Sequence, residues 1–119
     1  MTSIRMGLIT AGLCAALSNA VFAGERKLSG SEIETAITDK IARGETGGKP
    51  TEQVFAAGGA TTYTVDGASS QGRWTVRGDQ YCSQWPPGES WSCYDLVTDG
   101  TAYAFISASG ERSVVRISD

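Results

Sequence analysis

The chain has 119 residues, ten Lys plus Arg against thirteen Asp plus Glu, and no His. That length bounds it to one domain, and a mild negative charge without a basic cluster argues against nucleic-acid or anionic-membrane partners. Without His, the commonest general base, the usual catalytic triads and most transition-metal sites are out of reach.

The N-terminus, MTSIRMGLITAGLCAALSNAVFA, has one positive charge at Arg5, an apolar run from Met6 to Leu17, and Val21-Phe22-Ala23 ahead of a cut after Ala23. This predicts a secretory signal peptide over residues 1–23, since the run is shorter than the roughly 20 residues a membrane helix needs. Cys14 lies inside it. Leu13 precedes that cysteine where a lipoprotein site would need a small residue, so Cys14 is expected to leave with the signal. The expected mature domain, 24–119, then carries nine basic and thirteen acidic residues, a net charge of −4, and one pair of cysteines. An even pair in an exported chain points to an oxidising compartment, periplasmic or extracellular, with no membrane insertion after cleavage.

Leu28–Glu34 reads as a helix start. Ser29…Glu32 and Ser31…Glu34 each fit a capping box, and both glutamates suit the positive end of the helix dipole. Ile33, Ile37 and Ile41 recur every four residues, which predicts a helix over about 31–43 that Gly44 stops. Its expected role is to pack across an open end or face of a sheet; the alternative is a lid or partner-binding helix. Glu45–Pro50 reads as a linker. Glu52–Ala57 and Thr61–Val65 form a predicted hairpin around Gly58-Gly59 with Phe55 opposite Tyr63, and Asp66–Gln71 a polar loop that leaves Val65 opposite Trp74.

Gly72–Gly100 holds all three Trp and the pair Cys82 and Cys93. Gly78-Asp79 and Asp99-Gly100 are two-residue turn signals, and Pro86-Pro87-Gly88-Glu89 a four-residue turn. They pair Trp74 with Ser83, Tyr81 with Tyr94, Trp85 with Ser90, Leu96 with Tyr103 and Tyr94 with Phe105. Because side chains alternate along a strand, one face collects Trp74, Val76, Tyr81, Trp85, Tyr94, Leu96, Tyr103 and Phe105. The other face takes Arg73, Thr75, Arg77, Cys82, Gln84, Trp91, Cys93 and Asp95. Cys82 and Cys93 are expected one register step off direct opposition, to be levelled by a bulge near the Pro-Pro turn and joined as a structural disulfide. At the C-terminus, Ser109-Gly110-Glu111 turns the chain so that Val115 and Ile117 return opposite Phe105 and Tyr103. The expected fold is mainly β: about seven antiparallel strands in an up-and-down meander, barrel-like or strongly curved, with one N-terminal helix.

Catalytic chemistry is sparse. No serine sits in a Gly-x-Ser-x-Gly elbow, and Asp66, Asp79 and Asp99 each precede or follow a glycine, as turn residues do. Asp66–Ser70 offers one carboxylate, too few for a calcium loop. Only a carboxylate pair for glycoside chemistry stays open, because sequence does not fix distances between loops. The reading is therefore no enzyme, no cofactor and no metal. The aromatic face either fills the core of a small barrel or lines a cavity, with Trp74, Trp85 and Tyr103 as candidate ligand-facing residues. On the outer face, Trp91 either covers the Cys82–Cys93 bridge or joins Arg73 and Arg77 as an anchor for a protein partner.

The spaced motifs Leu28–Ile33 (Leu-Ser-Gly-x-Glu-Ile), Gly72–Val76 (Gly-x-Trp-x-Val), Gly78–Cys82 (Gly-Asp-x-x-Cys) and Trp91–Tyr94 (Trp-x-Cys-Tyr) resemble a group of small exported proteobacterial proteins of unassigned function. The resemblance implies an exported, disulfide-bonded, β-rich domain and no activity. Ser107–Arg112 is similar to the Ser-Gly-x-x-Tyr loop of periplasmic C-type lysozyme inhibitors, with Ser113 where that family has Tyr. That likeness implies an inhibitory loop built on Ser107, Ser109, Gly110 and Arg112. The functional expectation is a non-enzymatic binding or accessory module, its partner an unidentified protein or a small apolar ligand; the alternatives are an enzyme inhibitor and a carrier of apolar ligands.

Overall fold

The computed structural model describes residues 24–119; the expected signal peptide, with Cys14, lies outside them. Helix α1 (Gly30–Ile37) begins at Ser29. Its Oγ accepts from the Glu32 N–H at 3.3 Å while Glu32 Oε1 accepts from the Ser29 N–H at 2.8 Å, a complete capping box. The backbone hydrogen bond from Ser29, with Arg26 beside it, holds the Glu32 carboxyl below its usual range. Gly30 is there because nothing larger fits: a Cβ would lie 2.2 Å from the Gly78 carbonyl oxygen, and its N–H donates to Asp79 Oδ1 at 2.8 Å. The helix start is thereby fastened to a strand turn.

The helix is shorter than the expected 31–43. It ends at Thr38, and Asp39 turns the chain at φ 60, its N–H donating to the Phe55 carbonyl at 2.7 Å. Ile41 belongs instead to strand β2 (Ile41–Thr46), which hairpins through Gly47-Gly48 into β3 (Lys49–Phe55). Both glycines have positive φ, 56 and 78, so the expected linker is a tight turn. Pairing β2 on both edges outweighs the four-residue spacing of isoleucines, which only Ile33 and Ile37 express as a buried helix face.

Six further strands follow: β4 (Ala60–Val65), β5 (Ala68–Arg77), β6 (Gln80–Gln84), β7 (Trp91–Thr98), β8 (Tyr103–Ile106) and β9 (Arg112–Ser118). Each pairs antiparallel with the next, and β9 returns to β2 from Ile41↔Ser118 to Gly44↔Val115. The sheet is an eight-stranded closed up-and-down barrel, not seven strands. A two-residue β1 (Arg26–Lys27) adds to β7 at Thr98 and Val97. Closure leaves the strands of the barrel without a free sheet edge over their paired length.

The Gly78-Asp79 and Pro-Pro hairpins pair as expected through Trp74↔Ser83 and Tyr81↔Tyr94, but the second ladder stops at Gln84↔Trp91, short of Trp85 and Ser90. The Pro86-Pro87 bond there is cis. Other registers are corrected. Phe55 pairs with Thr61 and Gln53 with Tyr63. Asp66-Gly67 is itself a two-residue turn, φ 50 and 88, so Val65 faces Ala68 and the expected polar loop is strand. Asp99 Oδ1 accepts from the N–H groups of Thr101 and Ala102, both at 2.9 Å, which makes a four-residue loop and shifts Leu96 to Phe105. Those donors, Ala102 first, hold the Asp99 carboxyl below its usual range. Val115 faces Tyr103, while Ile117 crosses to Ala42. For Phe55, Val65, Leu96 and Val115 the partner moves by an even number of residues, so the faces stay as expected.

Cys82 and Cys93 are directly opposite, Cα atoms 4.0 Å apart and disulfide-bonded, with no bulge needed. Inside the barrel Phe55 is fully buried and meets Trp74 at 5.9 Å and Tyr81 at 5.6 Å, both edge-on. Leu96, Phe105, Ile33 and Ile37 complete that cluster, so α1 plugs the end of the barrel where the Gly78-Asp79 turn lies.

Candidate functional site

Among the described residues nothing plugs the opposite end. Toward it many inward positions are small: Gly44 follows Ala42, Gly72 follows Trp74, Ser83 follows Tyr81, Ser92 follows Tyr94 and Ser113 follows Val115, while Tyr63 and Trp85 are the large residues among them. Side chains that small cannot fill an eight-stranded barrel, whose interior has room for them or for one small ligand. What remains is a cavity of about 260 Å³ open to solvent. Tyr81 and Phe105 are buried at 3% and 7% exposure, and Tyr63, Trp85 and Tyr94 stand half-buried in the wall.

The polar atoms of this wall are bonded mostly to one another. Gln53 Nε2 donates to Tyr81 Oη and to Thr61 Oγ1, each at 3.0 Å, and Thr61 passes its own hydrogen to the Val54 carbonyl at 2.7 Å. Both amide hydrogens of Gln53 are thus engaged, which leaves its carbonyl as the free acceptor. Trp85 Nε1–H donates to Ser83 Oγ at 3.2 Å. Burial pushes the Tyr81 phenol up to about 12, against the opposing hydrogen bonds from Ser83 and Gln53. It is a neutral group at any physiological pH.

Trp85 owes its place to a glycine. A Cβ on Gly72 would lie 2.5 Å from Trp85 Cε3, so the indole lies against bare backbone of β5, and its ring meets Tyr63 at 6.2 Å. On the far side the β2–β9 ladder ends at Gly44↔Val115. Beyond it Glu45 and Thr46 on β2, and Ser113 and Val114 on β9, line the cavity from the side. Among the described residues Glu45 is the one charged residue of the wall.

Of the three aromatics expected to face a ligand, Trp85 lines the cavity. Trp74 is buried in the core, Nε1–H to the Ala56 carbonyl at 2.8 Å, and Tyr103 packs against the core outside the cavity. Tyr94, on the expected aromatic face, lines it too, whereas Gln53 and Glu45 were not expected there and Tyr63 was expected only as the partner of Phe55. The signal that could have found them is Gly47-Gly48 between two alternating segments, which places Glu45 and Gln53 in one hairpin.

The outer-face residues form a separate set. The Arg77 guanidinium carbon lies 4.7 Å from the Trp91 ring centroid, and the two residues flank the Cys82–Cys93 row on the same face. Cys82 is fully buried beneath them. Arg73 and Trp91 border a shallow outer depression whose other walls are largely Gly58, Gly59, Ala60 and Gly72; its volume of about 410 Å³ exceeds that of the inner cavity, yet those walls offer little but backbone. In the Ser107–Arg112 turn, Ser107 Oγ bonds Ser109 Oγ at 3.0 Å and the Glu111 N–H at 3.1 Å, and the Gly110 N–H reaches the Ser107 carbonyl at 2.9 Å. Arg112 pairs with Glu25. Among the described residues, no three His, Cys, Asp or Glu gather into a metal-sized cluster. No helix there is long and apolar enough to cross a membrane.

Comparison with known proteins finds no matching family model, curated protein or solved structure.

Proposed function

We propose that this chain is an exported, non-enzymatic binding domain that takes one small, partly apolar ligand into the open end of its barrel. The observation that carries the reading is the cavity of about 260 Å³ with π-faces in its wall and polar atoms between them. Ligand sites are mostly apolar hollows with a few fixed polar groups, and those for drug-sized molecules run from about 300 Å³ upward. The ligand is accordingly smaller than that. Export rests on the N-terminal sequence and fits the Cys82–Cys93 bridge, which persists in oxidising compartments such as the periplasm. The inhibitor reading has less behind it, since Ser107, Ser109 and Gly110 satisfy one another and Arg112 is paired.

The test is a melting screen of small amphipathic molecules against the wild type and Ser113→Trp. Ser113 is exposed at the mouth, so an indole there fills the cavity without entering the core. A true ligand at a hundred times its Kd adds roughly 2.7 kcal/mol, or on the order of ten degrees, to the wild type alone. Equal shifts in both proteins place binding elsewhere and refute the reading.

A further inference from the structure

The cavity wall has a chemical sign. Its two side chains with N–H donors, Gln53 and Trp85, direct those hydrogens at Tyr81, Thr61 and Ser83, inside the wall. Among the described residues no Lys or Arg lines the cavity. The lining is rich in electron-bearing groups: the rings of Tyr63, Trp85 and Tyr94, several hydroxyl oxygens and the carbonyl of Gln53, with Glu45 exposed at the mouth. The phenol of Tyr81 is buried and its oxygen already accepts from Gln53. An aromatic face attracts a cation through its quadrupole, most strongly where water is displaced, and a carboxylate at the entrance adds to that field.

We propose that the open end of the barrel is a site for a small organic cation, a quaternary or protonated amine, seated among Tyr63, Trp85 and Tyr94 with Glu45 at the entrance. This deepens the binding reading and rests on it. Among the described residues an anion finds no Lys or Arg and no free side-chain N–H there, since those of Gln53 and Trp85 are already bonded, and hydroxyls alone replace its hydration poorly. A neutral apolar molecule of the same shape keeps the contacts but forgoes the attraction to the rings.

The experiment titrates the full chain, by calorimetry at low salt, with choline, with its uncharged carbon isostere dimethylbutanol, and with the anionic dimethylbutyrate. The expected order is choline tightest, by about tenfold over the alcohol, with the carboxylate weakest. Trp85→Leu, at the half-buried rim, should abolish most of choline's margin while leaving alcohol binding measurable. Glu45→Gln, exposed and outside the core, should reduce the margin about two- to threefold, and added salt should do the same to the wild type. The alcohol binding as tightly as choline overturns the cation proposal and leaves the cavity reading standing. Failure of all three probes to bind overturns the cation proposal as well; the melting screen with Ser113→Trp then decides the cavity reading by itself.

Discussion

Tyr81 is the residue where core and cavity meet. Its ring packs on Phe55 and Phe105, at 5.6 and 5.0 Å, while its hydroxyl takes a hydrogen from Gln53 in the cavity wall. Because its folded pKa is about 12 against an unfolded value near 10, the unfolded chain releases this proton first. Between those pH values the unfolded state therefore binds fewer protons, and stability falls as pH rises. Below pH 10 the group contributes no slope. The loss through pH 12 should be on the order of 2 kcal/mol in the wild type and absent from Tyr81→Phe, as read from urea midpoints across that window. Parallel curves for the two proteins would show that the phenol is not buried. Gly72 makes the second case at this scale. Gly72→Ala forces its methyl against the Trp85 ring and the Gln84 carbonyl oxygen, which lie 2.5 and 2.7 Å from the Cβ position. Overpacking of this kind costs about 1–3 kcal/mol, and it should shift Trp85 emission to the red as the indole leaves the mouth. Unchanged emission would mean the indole does not lie on that glycine.

The elements were legible wherever turn chemistry and alternation agreed. Gly78-Asp79 and the Pro-Pro turn fix Trp74↔Ser83 and Tyr81↔Tyr94, and with them the inward aromatic face and the outward cysteines. Elsewhere alternation gave the face but not the partner. Asp99 has its carboxylate in the turn, and those two hydrogen bonds lengthen the loop to four residues, which no count of apolar positions reveals. The β2–β3 hairpin was hidden by three isoleucines at helical spacing and by a glycine pair that looks like a linker. Only the return of β9 to β2, a pairing distant in sequence, decides between those two readings. With that hairpin went Glu45 and the β2 side of the candidate site, whereas Gln53 already lay in the expected strand Glu52–Ala57. The disulfide belongs to this scale too. It ties β6 to β7 across a separation of 11 residues, and a loop of that size is worth about 3 kcal/mol through the unfolded state. Reduction, or Cys82→Ser, should lower Tm by on the order of ten degrees, the scale expected for a domain of about 100 residues. An unchanged Tm would show that the thiols are not joined.

The whole molecule is a barrel with unlike ends. One end is closed by α1, whose Ile33 and Ile37 are fully buried and whose first turn is fastened to the Gly78-Asp79 turn through Gly30. The other is kept hollow by small inward residues and held in shape by the short hairpins and the crosslink. A domain of this size has little core to give away, and leaving one end unfilled forgoes apolar burial there. That sacrifice makes sense if the space is used. The most direct measurement is native mass spectrometry of the chain taken from its own cell, in the wild type and in Ser113→Trp. The account predicts a wild-type species heavier than the disulfide-bonded chain by the mass of one small molecule, and a bare Ser113→Trp. A bare wild type, or equal added mass on both, would contradict it.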